Sequence, residues 1–409
     1  MYRRILSAIA LIFTLAFSAN AQQMTFDQFR DTIMSYKGEF NQYAAVEHDY
    51  AKAIEPLKKM INLYESVEIT DAQDRIDDNM LRMMVGPDAY DLACCYARIG
   101  KKKLAIEALR KAVDCGWANY GNLMWDINEN DLVSIAKDKE VKKIIEEVRL
   151  MQPLAVLQRS GAYQKEDTDT IPAFRYQPNT DHNLTMVREY FRLDSVAGTG
   201  DELSKIKNIL GYCHNLIRHD GSNFAFAEMD AIDLYHYHKV TGKGINCLQL
   251  ATVLMEMYLA EGFKARLVSC VPMDKNDYDS HVINCVWSET LHKWLYVDPT
   301  MNAWVTDENG TMLSIAEVRE RLIDGRPLNL NEEANWNNEN KQTKEYYLET
   351  YMAKNLYVML CPLKCMFNSE PRYRNSTNNF LQLVPSGFDY YTHANYTTSD
   401  PEIFWQAPE

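Results

Sequence analysis

The segment from residue 242 to residue 304 constrains the fold of this chain more strongly than any other. An apolar run at 247–261, preceded by a glycine-containing turn, has the length and composition of a buried helix. Three strand-like runs follow it, separated by turn-rich segments, at 265–271, 281–287 and 294–297. A helix that leads into an antiparallel meander predicts an α+β fold.

Three reactive side chains occupy special positions in this pattern. Cys247 opens the helix, where free backbone N–H groups and the helix dipole stabilise a thiolate. His281 begins the second strand and Asp298 ends the third. Because these two strands are antiparallel across a short turn, we expect His281 and Asp298 to be neighbours. The order is that of a nucleophile, a general base and a carboxylate that orients the base.

Four sequence blocks surround these residues: NCLQLA at 246–251, GFKARLV at 262–268, HVINCV at 281–286 and WLYVDPT at 294–300. The reactive positions within them are separated by 34 and 17 residues. In this order and spacing, residues 183–322 resemble the transglutaminase-like superfamily of papain-related thiol enzymes. The resemblance implies a papain-like core built from a catalytic helix and an antiparallel sheet.

The resemblance also implies a thioester mechanism with a Cys247–His281–Asp298 triad. Cys247 would attack an amide carbonyl, an amine would leave, and water or a second amine would take the acyl group. We expect hydrolysis of a peptide or glutamine-type amide in a peptide or protein substrate, without a cofactor or metal. The alternative is a noncatalytic binding or scaffold protein that retains an inactive transglutaminase-like fold.

One departure from the family concerns the oxyanion donor. Animal transglutaminases supply it from a tryptophan well upstream of the cysteine, but this chain has no tryptophan between Trp125 and Trp287. The backbone N–H of Cys247 would serve as one donor. Three side chains are candidates for the second donor, and the sequence does not choose between them: Tyr212, His214 and Gln249. The departure favours hydrolysis over cross-linking of the animal type.

The region at 22–155 reads as helices, and part of it resembles a tetratricopeptide repeat. Its small and apolar residues follow the spacing of that helix-turn-helix unit at Ala93, Tyr96, Gly100, Ala105, Leu109 and Ala112. We expect an all-α, repeat-like domain that binds a protein partner or substrate. An unrelated helical bundle remains the alternative.

The N-terminal residues 1–21 have the layout of a secretory signal peptide, with two arginines, a short apolar run and a small-residue site near Ala21. We therefore expect export to the periplasm or the medium, and no membrane span. Cleavage there would leave 41 basic and 57 acidic side chains, a net charge of −16 instead of −14. This acidic balance argues against a nucleic-acid partner, because phosphate binding relies on Lys and Arg.

The remaining segments carry weaker signals. We expect a linker at 156–182, the catalytic core at 183–325 and a C-terminal extension of unknown role at 326–409, with a helix near 345–360. His236 and His238 lack further ligands at zinc-site spacing, so a structural role is expected for both.

The nine cysteines leave at least one thiol unpaired. Cys361 and Cys365 are spaced for a local disulfide in an exported protein. A symmetric hairpin would pair Val271 with His281 and keep Cys270 apart from Cys285.

Overall fold

The computed structural model describes residues 22–71, 76–165, 171–369, 379–388 and 394–408. They form two compact units, and the boundary lies between Gln152 and Pro153. The expected signal peptide at 1–21 lies outside the described residues. Within the described ranges, no helix combines the length and the apolar character needed to cross a membrane.

The first unit is helical, as predicted. Its helices are α1 (Phe26–Asn41), α2 (Tyr50–Ser66), α3 (Asp78–Arg98), α4 (Lys102–Asp114), α5 (Tyr120–Glu129) and α6 (Lys139–Leu150). Two short strands, β1 (Gln22–Met24) and β2 (Val67–Ile69), pair in parallel.

Helices α3 and α4 form the hairpin that the repeat-like pattern predicts. Gly100 joins them with a φ of 73°, a left-handed conformation that glycine adopts without steric cost. Ala93, Ala105 and Ala112 are fully buried, and their small side chains allow the two helices to approach closely. The structure thus contains a helical hairpin, while its assignment as a tetratricopeptide repeat stays a prediction.

The second unit mixes helices and strands. Its helices are α7 (Pro153–Gln158), α8 (His182–Phe191), α9 (Leu193–Ala197), α10 (Glu202–Leu216), α11 (Ala231–Thr241), α12 (Cys247–Ala260), α13 (Ile315–Asp324), α14 (Lys344–Tyr346), α15 (Ala353–Asn355) and α16 (Pro401–Phe404). A wider helical turn, Tyr347–Met352, connects α14 to α15. Helix α12 is the central one, since every residue from position 249 to position 260 is buried.

The strands of this unit include the three predicted from the sequence. They are β3 (Arg175–Tyr176), β4 (Ala265–Val271), β5 (His281–Ser288), β6 (Lys293–Val297), β7 (Val305–Thr306), β8 (Asn329–Leu330), β9 (Asn335–Trp336), β10 (Asn340–Lys341), β11 (Val358–Pro362), β12 (Lys364–Cys365), β13 (Phe380–Leu383) and β14 (Tyr396–Thr398). Six of them form one sheet in the order β14-β13-β11-β4-β5-β6, in which only β13 and β14 are parallel.

The register of β4 and β5 differs by one residue from the symmetric hairpin. His281 lies opposite Cys270 rather than Val271. A one-residue shift is hard to predict across a long connection, because packing of the buried faces sets the register. Cys285 pairs with Arg266, and all nine cysteines are free thiols, including Cys361 and Cys365.

The C-terminal segment extends the central sheet. The helix predicted near 345–360 is wrong in its second part, since helical structure ends at Asn355 and β11 begins at Val358. A short buried apolar run is compatible with a helix or a strand, and here the run forms a strand because it pairs with β4. The second unit contains every described residue of the three predicted segments, 156–182, 183–325 and 326–409. The division between these segments stays a prediction.

Candidate active site

Cys247 is the first residue of α12. The side chain of Asn246 caps the helix by accepting a hydrogen bond from the Gln249 N–H. The N–H of the first helical residue has no acceptor within the helix, so that of Cys247 points out of the helix start. The Cys247 thiol is half-buried and lies at the positive end of the helix dipole.

His281 and Asp298 form a fully buried pair beside this cysteine. The His281 Nε2 atom lies 2.8 Å from Asp298 Oδ2. The Cys247 thiol and the His281 imidazole are coupled, since the interaction with His281 lowers the pKa of the thiol and the interaction with Cys247 raises the pKa of the imidazole. Since Asp298 engages Nε2, the nitrogen that His281 offers to the thiol is Nδ1. The three side chains are therefore coupled in the order Cys247, His281, Asp298.

Further hydrogen bonds hold the Asp298 carboxylate. The Tyr347 hydroxyl donates to Oδ2 at 2.6 Å, and the Thr300 N–H donates to Oδ1 at 2.8 Å. Tyr347 belongs to the C-terminal segment, and the ring of Tyr351 from the same segment lies 5.2 Å from the His281 ring. The segment after residue 326 therefore forms one wall of the site.

The electrostatics favour a thiolate–imidazolium pair. Burial raises the pKa of the Cys247 thiol, but hydrogen bonds from His219 and His281 and the charge of His281 outweigh it and lower that pKa to about 6. Burial disfavours protonation of His281, yet the charge and hydrogen bond of Asp298 dominate and raise the imidazole pKa to about 10. Burial by itself would raise the pKa of the Asp298 carboxyl. The charge of His281 and the hydrogen bonds from His281, Tyr347 and Thr300 outweigh burial, so the pKa is lowered overall.

His219 is a site residue that the sequence did not predict. Its side chain lowers the pKa of the Cys247 thiol, although it lies 28 residues upstream. The indole N–H of Trp336 donates to His219 Nδ1 at 2.9 Å. No motif surrounds His219. Its only signal in the sequence is that of a side-chain N–H donor located between His214 and Cys247.

Backbone pairing explains how His219 reaches the thiol. Residue His219 bridges to Ile245, with the Asp220 N–H donating to the Ile245 carbonyl at 2.8 Å and the Ile245 N–H donating to the Arg218 carbonyl at 3.0 Å. Gly244 allows this close approach, because a Cβ at this position would lie 2.6 Å from the Arg218 oxygen. The pairing sets His219 beside the start of α12.

Gly244→Ala is expected to push the 218–220 segment away from the thiol. Overpacking of this kind costs about 1–3 kcal/mol in the free energy of unfolding. Loss of the His219 hydrogen bond should also raise the pKa of Cys247, which the pH dependence of its alkylation measures. Gly38→Ala is the matched control, since an added Cβ at this position in α1 would have no described atom within 4 Å apart from its chain neighbours and the backbone of its own helix. Equal unfolding free energies for Gly244→Ala and wild type would refute the close-contact argument.

The three predicted oxyanion donors lie elsewhere or are engaged. The Gln249 amide is fully buried and exchanges two hydrogen bonds with the backbone of Ala225, at 2.9 and 3.0 Å. Both ring nitrogens of His214 have partners, the Pro299 carbonyl and the Asn335 side chain. Tyr212 lies among the aromatic residues of α8 and α11, where burial raises its pKa.

The other histidine pair has structural contacts. His236 Nε2 lies 2.7 Å from the Tyr190 hydroxyl, and His238 Nδ1 lies 2.8 Å from the Lys243 carbonyl. In the part of the chain that the structure describes, no group of three or more His, Cys, Asp or Glu side chains is placed to hold a metal ion.

Two cavities flank Trp336 next to the site. One, of about 460 Å³, is lined by Trp336, Tyr351 and Met301 among others. The second, of about 370 Å³, is lined by His219, Trp336 and Gly244 among others. Trp336 is the lining residue that the two cavities share.

Comparison with known proteins identifies one family. Residues 191–299 match the model of the transglutaminase-like superfamily core, a range that contains Cys247, His281 and Asp298. This confirms the predicted resemblance for that part of the chain. No curated protein matches the chain.

Proposed function

We propose that this protein is a thiol-dependent acyl-transfer enzyme that hydrolyses an amide in a peptide or a glutamine-type side chain. The observation that carries the proposal is the buried 2.8 Å hydrogen bond between His281 and Asp298, next to Cys247 at the start of α12, where His281 lowers the pKa of the thiol. Cys247 is the nucleophile, His281 is the general acid and base, and Asp298 orients His281. The superfamily match over residues 191–299 supports this assignment.

The charges at rest suit the first half of the reaction. The Cys247 thiolate attacks the carbonyl carbon, a C–S bond forms, and the carbonyl π electrons move to the oxygen. As the C–N bond breaks, the protonated His281 gives its Nδ1 proton to the leaving amine and a thioester remains. His281, now neutral, takes a proton from water while the water oxygen attacks the thioester. Loss of the thiolate then releases the carboxylic acid.

Asp298 supports both halves of this cycle. Its carboxylate holds the Nε2 proton of His281, so Nδ1 is the position that gains and loses a proton. A noncatalytic scaffold would not require Cys247 and His281 to remain coupled, and the opposite shifts of their pKa values therefore favour the catalytic alternative. Export after cleavage near Ala21, and recognition of a protein partner by the N-terminal helices, belong to the same proposal.

Alkylation by iodoacetamide tests the activated thiol. We expect the rate at Cys247 to have a midpoint near pH 6, whereas an ordinary thiol has a pKa of about 8.5. Below pH 6 the sulfur is protonated and the rate falls. Mass spectrometry of the alkylated peptide at pH 6.5 should show labelling of Cys247 in the wild type.

Cys115 serves as the internal control, because it is the other cysteine that is not buried. Cys247→Ala should abolish labelling at pH 6.5, while Cys115→Ala should leave it unchanged. If wild type and Cys247→Ala were labelled equally at this pH, Cys247 would not be an activated nucleophile.

A further inference from the structure

The contact between Trp336 and His219 determines which nitrogen of His219 carries a proton. An indole N–H is only a donor, so His219 Nδ1 must be the acceptor in their 2.9 Å hydrogen bond. A proton on Nδ1 would place two hydrogen-bond donors face to face, because the indole N–H points at the same nitrogen. The neutral His219 ring therefore carries its proton on Nε2.

This tautomer gives His219 a different chemistry from His281. The Nδ1 lone pair of His219 is engaged by Trp336, and its other nitrogen already carries a proton. His219 thus presents an N–H donor toward Cys247, whereas His281 exchanges a proton with it. Both histidines act on the pKa of one thiol, and His281 is the one for which the described residues supply a carboxylate partner, at 2.8 Å.

We propose that His219 Nε2–H is the second donor of the oxyanion hole, beside the Cys247 backbone N–H, and that Trp336 is the residue that positions it. The proposal rests on the acyl-transfer function above. When the C–S bond forms, the carbonyl oxygen gains the electron pair and remains unprotonated between the two donors. The pair returns to the C–O bond as the leaving group departs, and His219 keeps its proton throughout.

The surroundings of His219 hold this donor in place before any substrate binds. The Asn337 side chain accepts a hydrogen bond from the backbone N–H of His219 at 2.8 Å and donates one to the backbone carbonyl of His219 at 3.0 Å. Ile245 pairs with the same residue on its other side. Donors fixed in advance are the ones that stabilise a developing oxyanion well, because they need not reorganise.

The location of His219 also suits a substrate carbonyl. His219 lines the cavity of about 370 Å³ next to Trp336, so a bound group can reach its ring. His219 lies upstream of the cysteine. Animal transglutaminases carry their tryptophan donor upstream of the cysteine, and this chain has no tryptophan between Trp125 and Trp287. Here a tryptophan from the C-terminal segment acts through a histidine instead.

The kinetic test uses 4-nitrophenyl acetate, whose acyl transfer passes through a tetrahedral oxyanion. The acetyl thioester at Cys247 is quantified by mass spectrometry, with Cys247→Ala as the blank. His219→Ala is expected to lower the acylation rate by about 10²–10³-fold, the usual effect of one lost oxyanion donor. His219→Gln replaces Nε2–H with an amide N–H and should restore the rate to within about tenfold of wild type.

Iodoacetamide separates this role from an effect on the thiol itself. Its displacement reaction forms no oxyanion, so at pH 9, where the thiolate is formed, His219→Ala should label Cys247 at the wild-type rate. Parallel losses in acylation and alkylation would show that His219 only sustains the thiolate and would overturn the proposal.

The positioning role of Trp336 has a spectroscopic readout. In ¹H–¹⁵N correlation spectra of the full chain, wild-type His219 should show an unprotonated Nδ1 and a protonated Nε2. Trp336→Phe removes the indole N–H and should give a mixture of tautomers, with acylation slowed and alkylation at pH 9 retained. A protonated Nδ1 in the wild type would overturn the assignment.

The possible failures are distinct. If the wild type forms no acetyl thioester at Cys247, the proposed function fails and the role of His219 fails with it. If the wild type is acylated and His219→Ala is acylated equally fast, only the role of His219 is refuted.

Discussion

Asp298→Asn is expected to lower the rate of acyl transfer by about 10⁴-fold while leaving the protein folded, as the equivalent change does in a serine-type triad. The rate of acetyl transfer from 4-nitrophenyl acetate to Cys247 measures the effect. Circular dichroism and the unfolding midpoint confirm that the variant is folded.

The expected loss follows from the partners of the carboxylate. Oδ1 accepts from the Thr300 N–H, so the asparagine oxygen would take that position. The NH₂ group of the asparagine would then face His281 Nε2 and the Tyr347 hydroxyl. In the wild type, both of these groups donate to Asp298 Oδ2. A donor facing Nε2 forces the His281 proton onto Nδ1, the wrong tautomer for a base. Without the negative charge, the pKa of His281 falls and that of Cys247 rises.

Tyr347→Phe is the matched control for this variant. It removes one hydrogen bond to the same carboxylate oxygen but retains the charge, so the rate should fall by only about tenfold, in line with one hydrogen bond to a charged group. The midpoint of Cys247 alkylation should move upward in Asp298→Asn and less in Tyr347→Phe. A wild-type acylation rate in Asp298→Asn would show that Asp298 is not part of the mechanism.

Arg266→Met is expected to give the largest loss of stability, about 3–5 kcal/mol in the free energy of unfolding, because it leaves buried polar partners unpaired. Arg266 is fully buried in β4. Its guanidinium donates to the Tyr176 hydroxyl at 2.6 Å and to the carbonyls of Phe404 and Gln406 at 2.7 and 3.0 Å.

Aromatic rings enclose the same guanidinium. Its central carbon lies 3.6 Å from the centre of the Phe174 ring and 4.2 Å from that of Trp294. Such desolvated cation–π contacts contribute about 2 kcal/mol or more. Methionine fills much of the volume but satisfies none of the three acceptors, so the loss is mainly one of hydrogen bonding and charge.

Chemical denaturation of wild type and variant measures this difference. Arg175→Met is the control, since Arg175 is exposed in the same unit and its replacement should change the stability by less than about 0.5 kcal/mol. A similarly small change for Arg266→Met would mean that these contacts contribute little to the folded state.

Local signals made much of the site predictable. The capped helix start at Cys247 and the strands that begin at His281 and end before Asp298 are set by neighbouring residues, through capping and period-two alternation. The antiparallel turn between β5 and β6 then brings His281 and Asp298 together. Their 2.8 Å contact required no long-range information beyond one hairpin.

The errors occurred where local patterns are ambiguous. The apolar run at Val358–Pro362 fits a helix or a strand, and only its pairing with β4 decides. The predicted β4–β5 register is wrong by one residue, because the long connection between these two strands does not determine their pairing. Hydrogen bonds engage two of the polar candidates: the Gln249 amide is bonded to Ala225, and the His214 ring is bonded to Pro299 and Asn335.

The sequence by itself therefore determined the mixed fold of the core, the helix that presents Cys247 and the pairing of His281 with Asp298. Only the tertiary structure decided which side chains complete the site. His219 reaches the thiol through a backbone pairing with Ile245, and Trp336 and Tyr347 arrive from a segment with no motif of its own. The physical reason is that helix caps and strand alternation depend on adjacent residues, whereas a donor's position depends on how distant segments pack.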